Sequence, residues 1–332
     1  MIVRFFRSHQ PLLLFVIPTI ALLLWMPLLL HPSFPQINLI MPLYSPFYWL
    51  VQTFPFMSNI LGIALIVIEA FIFNSIIHRY ELLGRSSYMP AFIYVLFFSA
   101  NILINFLHPI VLAMLCFLPG LNKLLGTYRK ESALAELFTV GFLLAIASLI
   151  YRPFLTLLPF LFIAITVLRP FLWREWVMII LGALLPYVYI FLYSYWINNT
   201  AHLLEKLFIY PALTVEMKIN ILERNYLIII SIIMFCFMFL LGSRGMSNAS
   251  NTVQFRNVMT VLRWLFSFGY LSMFMSTTFD YSGALIAFIP LIFLISSYLL
   301  TARRIWLAEI LLIVLILGIV LLNLGVVNIV LS

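Results

Sequence analysis

Of 332 residues, 65% are hydrophobic and only 8% charged, and the mean hydropathy is +1.17. A soluble domain carries about 25% charged residues, so this chain cannot clothe a water-facing surface, and a lipid bilayer is the solvent that suits it. The formal charge of +8 would raise nucleic acid as a partner, but its distribution along the chain argues against that.

A hydrocarbon core of ~30 Å needs about 20 apolar residues per helix at ~1.5 Å rise each. No strand-like alternation is present, which argues against a transmembrane barrel. The expected fold is all-α: one polytopic transmembrane helix bundle over residues 1–332, with about 11 spans and no separate soluble module.

Arg4 and Arg7 precede the first apolar run, which opens at Pro11 and reaches Leu30. It is too long for a signal peptide and no small-x-small site follows it, so it reads as an uncleaved span. Residues 31–51 are rich in Pro and aromatics and hold no Lys, Arg, Asp or Glu. They fit a short amphipathic or re-entrant segment lying on the outer surface. Further spans are expected at Pro55–Ile77, Pro90–His108, Pro109–Leu121, Ala133–Ile150, Phe154–Leu168 and Trp176–Ile197. Residues 198–225 form the longest polar stretch, with Leu203, Leu204, Leu207 and Phe208 at helical spacing, again a surface-lying helix. Tyr226–Gly242, Trp264–Thr278, Gly283–Leu300 and Ala308–Val330 complete the spans, with a polar loop expected over Ser243–Arg263.

Positive residues of short loops face the cytoplasm. With a cytoplasmic N-terminus and eleven spans, the C-terminus is periplasmic. Fourteen of the eighteen Lys and Arg then fall inside, and only Arg152, Lys206, Lys218 and Arg224 fall outside. The net charge is therefore a topology signal.

Against this background a few residues carry chemistry. Arg152, in an outer turn, opposes the orientation rule; it suits a phosphate or carboxylate, or snorkels to lipid head groups. Arg169, Arg174 and Glu175, with Trp173 and Trp176, mark the inner face as topogenic charges in an interfacial aromatic belt, or as a docking site for anionic lipid or a partner. Glu69 is an acid inside a span, where its cost of about 2.5–3.5 kcal/mol demands a partner or a cavity. Asn101, Asn105 and His108 fall at i, i+4, i+7 and would form one polar stripe, lining an outward cavity or gluing helices together. Asp280 is the single aspartate of the chain, in an outer FDYSG turn; it is a candidate catalytic base or an ordinary turn residue. The two cysteines, Cys116 and Cys236, lie in apolar runs and no metal-ligand spacing occurs. Phosphate-binding glycine loops, HExxH and GxSxG are absent.

The stretch from Ser148 to Tyr189 holds Ser148, Leu149, Tyr151 and Pro153, then Arg169, Phe171, Trp173, Arg174 and Glu175, then Gly182 and Pro186. It resembles an uncharacterised family of polytopic inner-membrane proteins of Bacteroidota, which implies a role in the cell envelope of a diderm bacterium. In span number and outer amphipathic segments the chain also looks like integral membrane glycosyltransferases that use polyprenyl-phosphate sugars. That likeness implies a donor phosphate near Arg152 and Asp280 as base. Those families carry a catalytic acid in the first outer loop, and residues 31–51 have none. The leading expectation is a glycosyltransferase-like protein handling a polyprenyl-phosphate-linked sugar on the periplasmic side, with membrane lipids as further partners, no nucleic acid and no cofactor assigned. The alternatives are a transporter or flippase of a lipid-linked molecule, and a non-catalytic scaffold of an envelope complex.

Overall fold

The computed structural model describes residue 6, residues 12–30, 40–83, 86–100, 106–198, 253–272, 281–302 and 305–331, and positions 200, 203 and 207. Among the described residues the fold is all-helical, with no strand. The helices are α1 (Leu13–Leu30), α2 (Ser45–Thr53), α3 (Pro55–Arg79), α4 (Met89–Ser99), α5 (Pro109–Leu125), α6 (Leu134–Ile150), α7 (Leu157–Leu168), α8 (Trp173–Trp196), α9 (Val253–Leu271), α10 (Phe288–Thr301) and α11 (Ile305–Leu331). Short 3-10 segments, Arg152–Thr156 and Tyr281–Ala287, lead into α7 and α10. Three stretches are long and apolar enough to cross a membrane: Pro55–Arg79, Trp173–Trp196 and Gly283–Leu300. Most of the others are shorter apolar helices.

Proline sets many of the boundaries. It lacks an N–H, so it is tolerated in the first turn of a helix, and Pro55, Pro90 and Pro109 each sit there. Pro153 cannot donate to the carbonyl of Leu149, four residues back. That carbonyl instead accepts from the Leu43 amide at 3.3 Å, which ties the segment before α2 to the end of α6. Arg169 precedes Pro170 and is extended (φ −143°, ψ 154°), as a residue before proline prefers, so α7 stops there. The two RPFL phrases thus fold differently. The first opens a 3-10 turn, and the second is an extended link to α8.

Helices α6 and α8 form the most extensive helix pair, and they run parallel. Residues 131–134 lie beside 172–175, Gly141 beside Ile179 and Ala183, and Ser148 beside Tyr187. Helix α7 carries the chain back between them. A Cβ on Gly141 would fall under 3.0 Å from the carbonyl of Ile179, and one on Gly182 equally close to the carbonyl of Phe138. Only glycine permits this approach, the small-residue packing that replaces hydrophobic drive between helices in lipid.

Side-chain bonds sort the connecting segments into two ends. At one, Ser87 Oγ donates to the carbonyl of Phe6 (2.8 Å), Tyr80 Oη to the carbonyl of Asn122 (2.6 Å), and Arg169 Nη1 to the carbonyl of Thr127 (2.8 Å). At the other, Tyr44 Oη donates to the carbonyl of Leu107 (2.8 Å) and Leu43 meets Leu149. The segments named at the first end are ones expected inside, and those named at the second are ones expected outside.

Two boundaries differ from expectation. Helix α4 ends at Ser99, and His108 caps α5 instead of closing the third span. The polar loop expected up to Arg263 is partly helical: α9 starts at Val253 and includes Arg256 and Arg263. Its buried face, Phe255, Val258, Met259, Leu262, Leu265, Phe266 and Gly269, continues at helical spacing straight through the arginines. Arg256 is exposed, while Arg263 folds back with Nη2 3.0 Å from Thr260 Oγ1. In the described part of the outer segment, from residue 40, the chain enters the short helix α2, with Val51 buried and Phe47 and Trp49 exposed. Most of 198–225 lies outside the described residues.

Candidate functional site

Arg152 opens the 3-10 segment at the second end of the bundle. It is half-buried, and its Nη1 is fully enclosed with no hydrogen-bond partner among the described residues. Burial pulls its pKa down, and electrostatic interaction with the Tyr187 phenol opposes that. The Tyr187 hydroxyl lies 2.7 Å from Ser148 Oγ, which also donates to the carbonyl of Ala145 (2.7 Å). Ser148 is one turn before Arg152 on the chain, and Tyr187 reaches the site because α8 runs parallel to α6. A buried guanidinium nitrogen without an acceptor costs free energy. An anion with oxygen atoms would satisfy it, while the Ser148 hydroxyl is spent on the Ala145 carbonyl and the Tyr187 hydroxyl on Ser148 Oγ, so that these two side chains form a polar wall without free donors.

His108 packs against Tyr151, the residue before Arg152. It is 4% exposed, its Nδ1 accepts from the amide of Ile110 (3.1 Å), and its ring meets those of Tyr151 (6.0 Å) and Phe106 (5.3 Å) edge-on. An Nδ1 that accepts this bond leaves the ring proton on Nε2. His108 is therefore an N-cap that buttresses Tyr151, the neighbour of Arg152. Asn101, Asn105 and Asp280 lie outside the described residues.

Arg169 and Glu175 meet at the opposite end, 5% and 2% exposed at their side chains. Arg169 Nε donates to Glu175 Oε2 (3.2 Å), and Nη2 lies 2.9 Å from Oε1, ion-paired outside hydrogen-bond geometry. Arg169 also donates from Nη1 to the carbonyl of Thr127 and, at 3.5 Å, from Nη2 to that of Glu131. Glu175 stands in the first turn of α8, where a carboxylate complements the helix dipole. The pair pins the α5–α6 loop to the start of α8. Arg174, by contrast, is exposed, its guanidinium 5.9 Å from the centre of the Trp173 ring. Trp176 is packed against Phe162 and Phe171.

Glu69 sits mid-way along α3, completely buried. Its Oε2 accepts from the Tyr94 hydroxyl (2.9 Å), whose ring stacks on Phe98 at 4.3 Å. Glu69 Oε1 and Asn74 Oδ1 have no hydrogen-bond partner among the described residues. No group of three or more His, Cys, Asp or Glu capable of holding a metal occurs among the described residues.

The sequence did not single out Tyr187, Ser148 as a partner of Arg152, or Glu131. A signal for Glu131 was present: it is the acid in an otherwise basic loop with Lys123, Arg129 and Lys130. Compared with known families, curated proteins and solved structures, the chain matches no family model, no curated protein and no solved structure.

Proposed function

We propose that the chain is a multi-pass protein of a bacterial inner membrane, with its N-terminus cytoplasmic and its C-terminus periplasmic. Its periplasmic end handles a polyprenyl-phosphate-linked sugar in the manner of a glycosyltransferase. The observation that carries this reading is the enclosed, acceptor-free Nη1 of Arg152 beside the Tyr187 and Ser148 hydroxyls. Arg152 binds the lipid-linked phosphate, the Tyr187–Ser148 hydrogen bond fixes the wall beside Arg152, and Asp280 serves as base. The segregation of the connecting segments from Phe6 to Arg169 into two ends supports the sidedness, because the basic segments among them then gather at one end.

A non-catalytic scaffold of an envelope complex is the second reading. It is favoured by the exposed apolar residues along α8, among them Leu184, Val188, Leu192 and Trp196. The experiment that separates the readings is a comparison of lipid extracts from parent cells, deletion cells, and deletion cells complemented with Arg152→Ala. Polyprenyl-linked sugar accumulating in both the deletion and the Arg152→Ala strain supports the first reading. Unchanged lipids in both support the scaffold.

A further inference from the structure

A cleft of about 390 Å³ opens at the Arg169 end, between the loop before α6 and the first turn of α8. Its volume falls within the ~300–1,000 Å³ of small-molecule sites. Glu131, Leu134, Leu172, Trp173, Arg174 and Glu175 line it. Glu175 is neutralised by Arg169 on the side away from solvent. That leaves one cation, Arg174, and one anion, Glu131, both exposed and neither in an ion pair with a described residue. They share one cleft without pairing with each other, although opposite charges on a short rim attract. Arg174 is held instead against the Trp173 face. The rest of the rim is apolar and open, with Trp173 65%, Leu172 46% and Leu134 38% exposed.

We propose that this cleft is a binding site for a zwitterionic phospholipid head group of the phosphoethanolamine type. The phosphate lies on the Arg174 guanidinium, and the ammonium on the Glu131 carboxylate. The glycerol and upper acyl chains lie on Leu172, Leu134 and the Trp173 ring, an amphipathic side chain that favours the membrane interface. An anionic lipid without an amine would answer Arg174 but meet Glu131 with repulsion, so the charge pair selects the zwitterion. The site is distinct from the Arg152 site, which lies at the opposite end of α7, and does not depend on the enzymatic reading of that end.

The test is native mass spectrometry of the full chain in detergent, titrated with equimolar phosphatidylethanolamine and phosphatidylglycerol. The expected result is at least a five-fold preference for phosphatidylethanolamine. Glu131→Gln abolishes the preference while keeping phosphatidylglycerol bound, and Arg174→Ala weakens both lipids. Both residues are exposed, so these variants fold, and Arg174→Lys restores partial binding as a check. Equal retention of the two lipids by the parent protein overturns the proposal, as does unchanged selectivity in Glu131→Gln. Water-soluble O-phosphoethanolamine binding as tightly as the lipid would place the ligand in solution and overturn the lipid assignment.

Discussion

Gly141 on α6 and Gly182 on α8 empty the same space from opposite sides, each lying where a Cβ would strike the other helix's backbone. The crossing that results sets α6 and α8 parallel, and both ends of the bundle depend on it. Gly141→Ala and Gly182→Ala each force the helices apart and are expected to cost about 1–3 kcal/mol. Gly120, on α5, offers the contrast: its Cβ would meet only Leu143 side-chain atoms, at 3.6 Å and beyond. Gly120→Ala is therefore neutral or stabilising by up to about 1 kcal/mol, from helix propensity. Thermal melting of the three variants in detergent checks the difference in sign.

Arg169 and Glu175 form the chain's best-enclosed described ion pair. Removing one partner leaves a buried charge, at about 3–5 kcal/mol. Arg169→Met alone is expected to destabilise strongly. The double variant Arg169→Met with Glu175→Leu recovers much of that loss, because well-packed apolar residues replace a buried pair with little penalty. A double-mutant cycle of melting temperatures reads the coupling. Additive losses would mean that the two residues act independently.

Glu69 is held by Tyr94 in a packed interior, the arrangement of a structural acid. Tyr94→Phe takes away the donor to Oε2 and is expected to cost about 1–3 kcal/mol. Glu69→Gln keeps an acceptor for the Tyr94 hydroxyl and keeps the phenotype of the parent. Loss of function in Glu69→Gln with an unchanged melting temperature would instead assign Glu69 a proton-transfer role and favour the transporter.

Sidedness is open to labelling. Ser45 and Lys123 are both exposed and belong to opposite ends. In a background without Cys116 and Cys236, Ser45→Cys is expected to react with a membrane-impermeant thiol reagent in spheroplasts. Lys123→Cys is expected to react only after lysis. The reverse pattern would invert the topology.

The helical class, the strongly apolar stretches and the grouping of the connecting segments from Phe6 to Arg169 were legible in the sequence because composition and charge bias are local properties. Pro55, Pro90 and Pro109 announced helix starts for the same reason. The α9 boundary was not legible, since Arg256 and Arg263 look like a loop until their apolar neighbours are seen to share one buried face. Nor was the Arg169–Glu175 pair: Arg169 and Arg174 look equivalent as topogenic charges, and only the extended link through Pro170 turns one inward and leaves the other exposed. His108 followed the same rule, because a cap is recognised by where the preceding helix stops. The companions of Arg152 depend on the parallel crossing, which brings Tyr187 to Ser148 across 39 residues of chain.

The claim that Arg152 holds a lipid-linked phosphate is tested most directly by binding. Purified protein is titrated with polyprenyl phosphate and followed by native mass spectrometry, with Arg152→Ala and, as a control at an exposed arginine, Arg256→Ala. The expected result is a complex with the parent protein, at least ten-fold weaker binding by Arg152→Ala at unchanged melting temperature, and parent-like binding by Arg256→Ala. Parent-like binding by Arg152→Ala would contradict it.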